Sequence, residues 1–277
     1  MVEPKNALEN LNEIKQILLG RKLAVFLDYD GTLTPIVNVP SEAKISQETR
    51  SLVATLSKQY PTAIITGRSI ETITQFVKLD SIYYAGSHGF DIRSPGGQEI
   101  IRQVGAEFLP LLAKARDSLR EKVKNIPGSL VEDNVYSVSV HYRRVDKEFW
   151  KTMEKAVNVE IERFNGKLKM GHGKMVYELR ANIEWHKGRA VRQLLKELGP
   201  TSNGKKMKPE LFALYIGDDT TDEDAFRELT ESKRGFGIRV LSKGGNLSQP
   251  TSAKFVLSSV DEVQQFLNRL SKMSDLA

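Results

Sequence analysis

Three short continuous apolar runs, at residues 23–27, 63–65 and 211–216, are separated by stretches such as 48–59 and 188–198 in which apolar residues recur at helical spacing. Runs of this length between helices predict strands covered on both faces. That is the pattern of a doubly wound parallel sheet, with ligands at the carboxyl ends of its strands. The runs lead into Asp28, Thr66 and, after one glycine, Asp218, so polar residues far apart in sequence are expected along one edge. Another helical pattern covers residues 7–19.

Between residues 108 and 182 the period changes. Helical patterns at 108–124 and 147–164 are interspersed with alternating stretches at 135–143 and 174–180, and alternation predicts half-exposed antiparallel strands. The expected fold is α/β: a doubly wound, Rossmann-like parallel-sheet core from residues 1–107 and 183–277, with an inserted smaller α+β domain at 108–182. Hinges are expected near Gly105 and at 181–184, and surface loops at 202–209 and 242–251.

The 277 residues are 40% hydrophobic and 27% charged, an ordinary globular balance. With no cysteine, disulfides, thiolate metal sites and a cysteine nucleophile are excluded. No apolar run approaches the roughly 20 residues of a membrane span, and the start Met1-Val2-Glu3-Pro4-Lys5 lacks the apolar core of a signal peptide. A soluble, cytoplasmic, monomeric protein without a membrane partner is expected. The helical pattern beginning almost at Met1 leaves room for an upstream targeting or partner segment. The net charge is +6, and residues 108–182 hold 15 Lys/Arg against 10 Asp/Glu, which is +5 of that excess. A concentrated excess is either a solvated basic surface or an attraction for an anionic substrate, and charge alone does not choose; without an aromatic-and-basic motif or a reading helix, nucleic acid is not the expected partner.

The segment Leu27-Asp28-Tyr29-Asp30-Gly31-Thr32-Leu33 carries the strongest chemical signal. Two carboxylates at spacing two share a side of an extended chain, and Gly31 permits the turn that aims them at one ligand. Such a pair can hold a hard divalent ion or divide the work of attack and proton transfer. Thr66-Gly67-Arg68 offers a hydroxyl and a guanidinium beside a glycine, donors suited to phosphoryl oxygens, although a lone threonine before a helix is more often a cap. Lys187, ahead of a helix, can supply a fixed positive charge, although most lysines are merely solvated. Gly217-Asp218-Asp219-Thr220-Thr221-Asp222-Glu223-Asp224 crowds five acidic residues behind a strand. A bound cation relieves that repulsion, and an acidic helix start explains part of it.

These four elements, in this order, resemble the haloacid dehalogenase superfamily of phosphatases across essentially the whole chain. The resemblance implies that Asp28 attacks phosphorus while Asp30 protonates the leaving oxygen and then activates water. It also implies that Mg2+ is held by Asp28, the backbone carbonyl of Asp30 and Asp218, with Asp219 or Asp222 in support. Thr66 and Lys187 then orient and neutralise the phosphoryl group.

In the inserted segment, Ser137, Ser139, His141 and Arg143 share one face of a strand, as do Lys174, Val176, Glu178 and Arg180. Such a face is either the wet side of a sheet or a surface for sugar hydroxyls. Tyr83-Tyr84-Ala85-Gly86-Ser87-His88-Gly89, Val138-Ser139-Val140-His141-Tyr142-Arg143, and Gly217-Asp218-Asp219 with Thr221-Asp222-Glu223-Asp224 resemble the trehalose-6-phosphate phosphatases, particularly the plant-like group. The resemblance implies a cap over the active site, with Gly67, Arg68, Glu132, Arg143, Lys174 and Glu178 contacting the sugar phosphate. Two positions depart from the family: Asn134 stands where many relatives have lysine, and Ala181 where a proline is common. The alternatives are a related phosphatase for sucrose 6-phosphate or mannosylglycerate phosphate, or a non-catalytic sensor. The hallmark of a sensor, loss of Asp30 or Lys187, is not found in the sequence.

Overall fold

The computed structural model describes residues 3–101, 105–199, 210–241 and 250–273. The expected loops at 202–209 and 242–251 lie outside these, apart from Pro250 and Thr251. The strands are β1 (Lys5–Asn6), β2 (Lys22–Leu27), β3 (Thr62–Ile65), β4 (Tyr83–Gly86), β5 (Asp91–Arg93), β6 (Glu99–Ile101), β7 (Leu130–Asp133), β8 (Ser137–His141), β9 (Leu168–Gly173), β10 (Val176–Ala181), β11 (Leu211–Gly217), β12 (Gly235–Val240) and β13 (Phe255–Leu257). The helices are α1 (Leu11–Leu18), α2 (Gln47–Ser57), α3 (Ile70–Val77), α4 (Leu109–Val123), α5 (Trp150–Arg163), α6 (Lys187–Leu198), α7 (Glu223–Glu231) and α8 (Val260–Leu270).

The larger sheet has the order β1-β13-β12-β11-β2-β3-β4-β5-β6. It is parallel from β1 to β4, and β5 and β6 are antiparallel at one end. The continuous apolar runs are explained by burial on both faces. Val25, Leu27, Ile64, Leu214 and Ile216 pack with α1, α2, α3 and α8 on one side, while Ala24, Phe26, Ala63, Ile65 and Tyr215 pack with α6 and α7 on the other. Each large side chain so buried contributes roughly 1.5–3 kcal/mol. The serine ahead of each of α2, α3 and α8, namely Ser46, Ser69 and Ser259, accepts a backbone N–H of the first turn, a cap of about 1 kcal/mol. From β2 the chain steps through β3 and β4 on one side and returns through β11, β12 and β13 on the other. The switch point therefore falls between β2 and β11, where a crevice opens at the strand ends.

The second sheet is antiparallel, in the order β7-β8-β10-β9. Val138, Val140, Tyr177 and Leu179 turn one face onto Leu112, Ala115 and Leu119 of α4 and Met153 and Val157 of α5.

Three sequence expectations are corrected. The first helix begins at Leu11, not at residue 7, because Lys5–Asn6 pairs with Phe255–Val256 and the Asn6 Oδ1 accepts Leu8 N–H at 2.8 Å, turning the chain. The strand expected from 135 begins at Ser137, since Val135 has φ +65° in the turn that joins β7 to β8. The strand expected from 174 begins at Val176, since Met175 also has φ +65° and forms the tip of the β9–β10 hairpin with Lys174. No helix among the described residues is long and apolar enough to cross a membrane.

Candidate active site

Asp28 follows β2, Thr66 follows β3 and Asp218 follows β11. Adjacent parallel pairing therefore brings all three to one edge at the switch point. One cleft contains Asp28, Asp30, Thr66, Gly67, Arg68 and Lys187 together with Asp218 from the larger sheet's layer, and Glu132 and Glu178 from the smaller sheet with Arg143 and Lys174 from its turns. These eleven residues, expected from the sequence as catalytic, metal-holding or substrate-binding, thus line the same cavity, whereas Ser137, Arg180 and Asp222, also named there, do not.

Gly31 is dictated by this convergence. At φ +84°, a Cβ there would sit 2.1 Å from Asp218 Oδ2, so only glycine lets the first aspartate loop lie against β11. Asp28 is 4% exposed, and Lys187 Nζ donates to its Oδ1 at 2.7 Å and to Asp222 Oδ1 at 2.7 Å. Lys187 is the first residue of α6, where the helix dipole disfavours a cation. Two carboxylates at hydrogen-bond distance offset that cost and hold the ammonium in place. Asp222 is fixed in turn, accepting the Tyr215 hydroxyl at 2.7 Å and the Asp218 and Asp219 N–H groups at 2.9 Å each.

Burial pushes the Asp28 carboxyl well above the usual range against the pull of Lys187, and Asp222 and Asp218 push the same way. Burial also raises Asp218 to about 7, opposed by Lys174 and reinforced by Asp222. For Lys187, burial acts downward, but Asp222 and Asp28 outweigh it and hold the ammonium well above its ordinary value.

The donor set fits a hard divalent cation. Asp28, Asp218 and Asp222 each offer an oxygen within 4.8 Å of the others. The oxygens of Asp222 already serve Lys187, Tyr215 and two backbone donors, which makes it an anchor of the loop. Asp218 Oδ1, by contrast, is buried without a hydrogen-bond partner, and Asp218 Oδ2 holds the ammonium of Lys174, a cation already seated at this carboxylate. Asp219 caps the turn through Thr220 N–H at 2.7 Å. Among the other acids of this run, Glu223 is tied to Arg239, Thr251 and the Ser252 N–H.

Arg68 is placed differently from the expectation of a phosphoryl donor. Its Nε and Nη2 each donate to Asp30 at 2.7 Å, and Nη2 also reaches Pro40 O at 2.9 Å. The guanidinium lies over Phe76 and Tyr29 at 5.1 and 5.6 Å from their centroids. Thr66 is not the helix cap, a position taken by Ser69. Its Oγ1 accepts Arg68 N–H at 3.2 Å and keeps its own proton to donate.

On the facing sheet, His141 Nε2 lies 2.9 Å from Glu132 Oε2, and Arg143 Nη2 donates to Lys174 O at 2.6 Å while Nη1 reaches Val37 O. Asn134, buried, donates to Ser139 Oγ at 3.0 Å. Arg180, expected on the polar side of its strand, lies 3.4 Å from Glu178 and does not line the cleft. Burial acts to raise the Glu178 carboxyl, but His88 and Arg180 overcome it and bring it down to about 2. His88, His172, Ile36, Val37 and Pro40 also line the cleft; none was expected as a site residue, and His88 stood only within a motif of the family resemblance. The carboxyl-edge argument that found Thr66 would have found His88, had the four-residue β4 been read as a strand.

The trehalose-phosphatase family model matches residues 26–261. Trehalose-phosphate phosphatase B of Arabidopsis thaliana is 41% identical over 96% of this chain and 70% of its own length. Trehalose 6-phosphate phosphatase RA3 of Zea mays is 38% identical over 98% of this chain and 76% of its own length. Among solved structures, the C-terminal domain of C. albicans trehalose-6-phosphate phosphatase superposes with a TM-score of 0.79 at 26% identity, covering 97% of this chain and 98% of that one. A haloacid dehalogenase-like hydrolase from Bacteroides thetaiotaomicron shares the fold, with a TM-score of 0.60 at 16% identity over 90% of this chain and 99% of that one. Such phosphatases work with a divalent metal, which the acidic cluster is composed to hold. The chain therefore belongs to the trehalose-phosphatase family, phosphoric monoester hydrolases built on the haloacid dehalogenase fold.

Proposed function

We propose that this chain hydrolyses trehalose 6-phosphate to trehalose and phosphate, the last step of trehalose biosynthesis, through an aspartyl-phosphate on Asp28. Residues 1–107 and 183–277 form the catalytic core in this reading, and residues 108–182 form a cap. The observation that carries it is the two-sided cleft. Asp28 and Lys187 lie on one wall, and Glu132, Arg143, Lys174 and Glu178, residues suited to sugar hydroxyls and phosphate, lie on the other.

The Asp28 carboxylate attacks phosphorus and the bond from phosphorus to the sugar oxygen breaks. Asp30, once it is protonated and has let go of one of the two Arg68 N–H groups that hold it, gives that oxygen its proton. Asp30 then takes a proton from the water that attacks the aspartyl-phosphate, which releases phosphate and restores Asp28. Lys187 keeps the nucleophile oriented, and Thr66 donates to a phosphoryl oxygen. Asp28, Asp218 and the Asp30 backbone carbonyl are the groups to hold Mg2+, which supplies charge neutralisation between an anionic nucleophile and an anionic ester. The cap keeps bulk water from the acyl phosphate.

Phosphate release across a panel of trehalose 6-phosphate, sucrose 6-phosphate, mannosylglycerate phosphate and glucose 6-phosphate tests the substrate assignment. Trehalose 6-phosphate is expected to give the highest kcat/KM by at least tenfold. A higher value for another ester would reassign the substrate and leave the chemistry in place.

A further inference from the structure

His88 stands on the core side of the cleft but makes its side-chain contact across it. The residue is 6% exposed, and its Nε2 lies 3.0 and 3.2 Å from the two oxygens of Glu178 on β10. The forked contact constrains the carboxylate more tightly than a single hydrogen bond would. The imidazole is itself held by its backbone. Ser87 and His88 both have left-handed φ, 48° and 59°, a conformation costing about 1–3 kcal/mol at each such residue and kept only where the surroundings over-determine it. The restraints are present: Ser87 N–H donates to Arg68 O and His88 N–H to Thr66 O, each at 2.7 Å, and Ser87 Oγ donates to Asn134 O of the smaller sheet's layer at 2.6 Å. Gly67 completes the seat, since a Cβ there would lie 3.1 Å from the His88 ring. The glycine of Thr66-Gly67-Arg68 therefore makes room for the imidazole.

We infer that His88 is a specificity-determining positioning residue: anchored to the phosphoryl-binding segment of the core, it orients Glu178 of the cap toward the distal sugar. This rests on the reading of Glu178 as a sugar contact. Sugar recognition and phosphoryl binding then share one rigid support, because the residue that aims Glu178 is bonded through its backbone to Thr66. Selectivity for the disaccharide is consequently complete only when the cap is docked on the core.

The test uses His88→Asn, whose short side chain tolerates the left-handed backbone but falls short of Glu178, and His88→Gln, which returns an amide N–H toward the Nε2 position. Glu178→Ala and the His88→Asn/Glu178→Ala double variant complete the set. kcat and KM are measured on trehalose 6-phosphate and p-nitrophenyl phosphate, and trehalose is measured as an inhibitor of p-nitrophenyl phosphate turnover. His88→Asn is expected to lower kcat/KM for trehalose 6-phosphate by about 10- to 100-fold, mostly through KM, as a lost charge-assisted hydrogen bond does. The loss on p-nitrophenyl phosphate is expected to be at least tenfold smaller, trehalose inhibition should weaken in parallel, and His88→Gln should recover part of the loss. In the double variant the two losses should not add, because one residue acts through the other. Equal losses on both substrates, or additive losses, would overturn the inference. If Glu178→Ala destroys selectivity and His88→Asn does not, the inference alone fails. If Glu178→Ala costs no selectivity, the sugar-binding reading fails and takes the inference with it.

Discussion

Lys187 Nζ and Asp28 Oδ1 are 2.7 Å apart with both side chains buried, and the same ammonium is 2.7 Å from Asp222 Oδ1. Removing the cation leaves two buried carboxylates facing each other, a loss of about 3–5 kcal/mol. Lys187→Met is therefore expected to lower the melting temperature of the metal-free protein strongly and to abolish phosphate release. Added divalent metal should recover part of the stability, because a cation again separates the carboxylates. A metal-free variant that melts with the wild type would contradict this pairing.

Metal binding should be linked to protons through Asp218. Its carboxyl, raised to about 7 by burial, is largely protonated below that pH in the metal-free protein, whereas the metal binds the carboxylate. Affinity for Mg2+ is expected to tighten as pH rises, by up to about tenfold per pH unit below 7 from Asp218 alone, with the raised Asp28 carboxyl adding to the dependence. Calorimetric titration between pH 5.5 and 8.5 reads this directly, and a pH-independent affinity would contradict it.

Glu178 has the opposite sign. Its carboxyl lies at about 2 against an ordinary 4.5, so its ionised form stabilises the fold above the unfolded value. That contribution is lost as pH falls through about 2. The displacement is worth on the order of 3 kcal/mol. Urea unfolding of wild type and Glu178→Gln should differ near pH 5 and converge between about pH 4.5 and 2. A gap that persists undiminished into that acid window would refute it.

Arg68 grips both oxygens of Asp30, and lysine cannot reproduce that fork. Arg68→Lys is expected to lower kcat on a sugar phosphate by roughly 10²-fold, the order of a misplaced acid–base group. The loss should be smaller on p-nitrophenyl phosphate, whose leaving group needs no proton. Equal losses on the two esters would place Arg68 on the phosphoryl group instead.

The sequence made legible whatever depends on burial along one strand. Residues 23–27 and 211–216 are apolar throughout because both faces of β2 and β11 are covered, and the polar residues beyond them stand at the crevice for the same reason. Contacts between elements were not legible. The two carboxylates around Lys187, the Asp30 partner of Arg68 and the His88–Glu178 contact join residues 35 to 159 positions apart. Val135 and Met175 lie in left-handed turns that their side chains locally disfavour, so alternation carried both expected strands past their true starts. β5 and β6, at three residues each, offer too few positions for a period to show.

The proposed reaction passes through a covalent phosphoryl group on Asp28. Rapid quenching of the magnesium-loaded enzyme during trehalose 6-phosphate turnover, followed by borohydride reduction and peptide mass spectrometry, should convert Asp28, and no other aspartate, to homoserine. Homoserine at a different aspartate, or none at position 28 while phosphate is being released, would contradict the account.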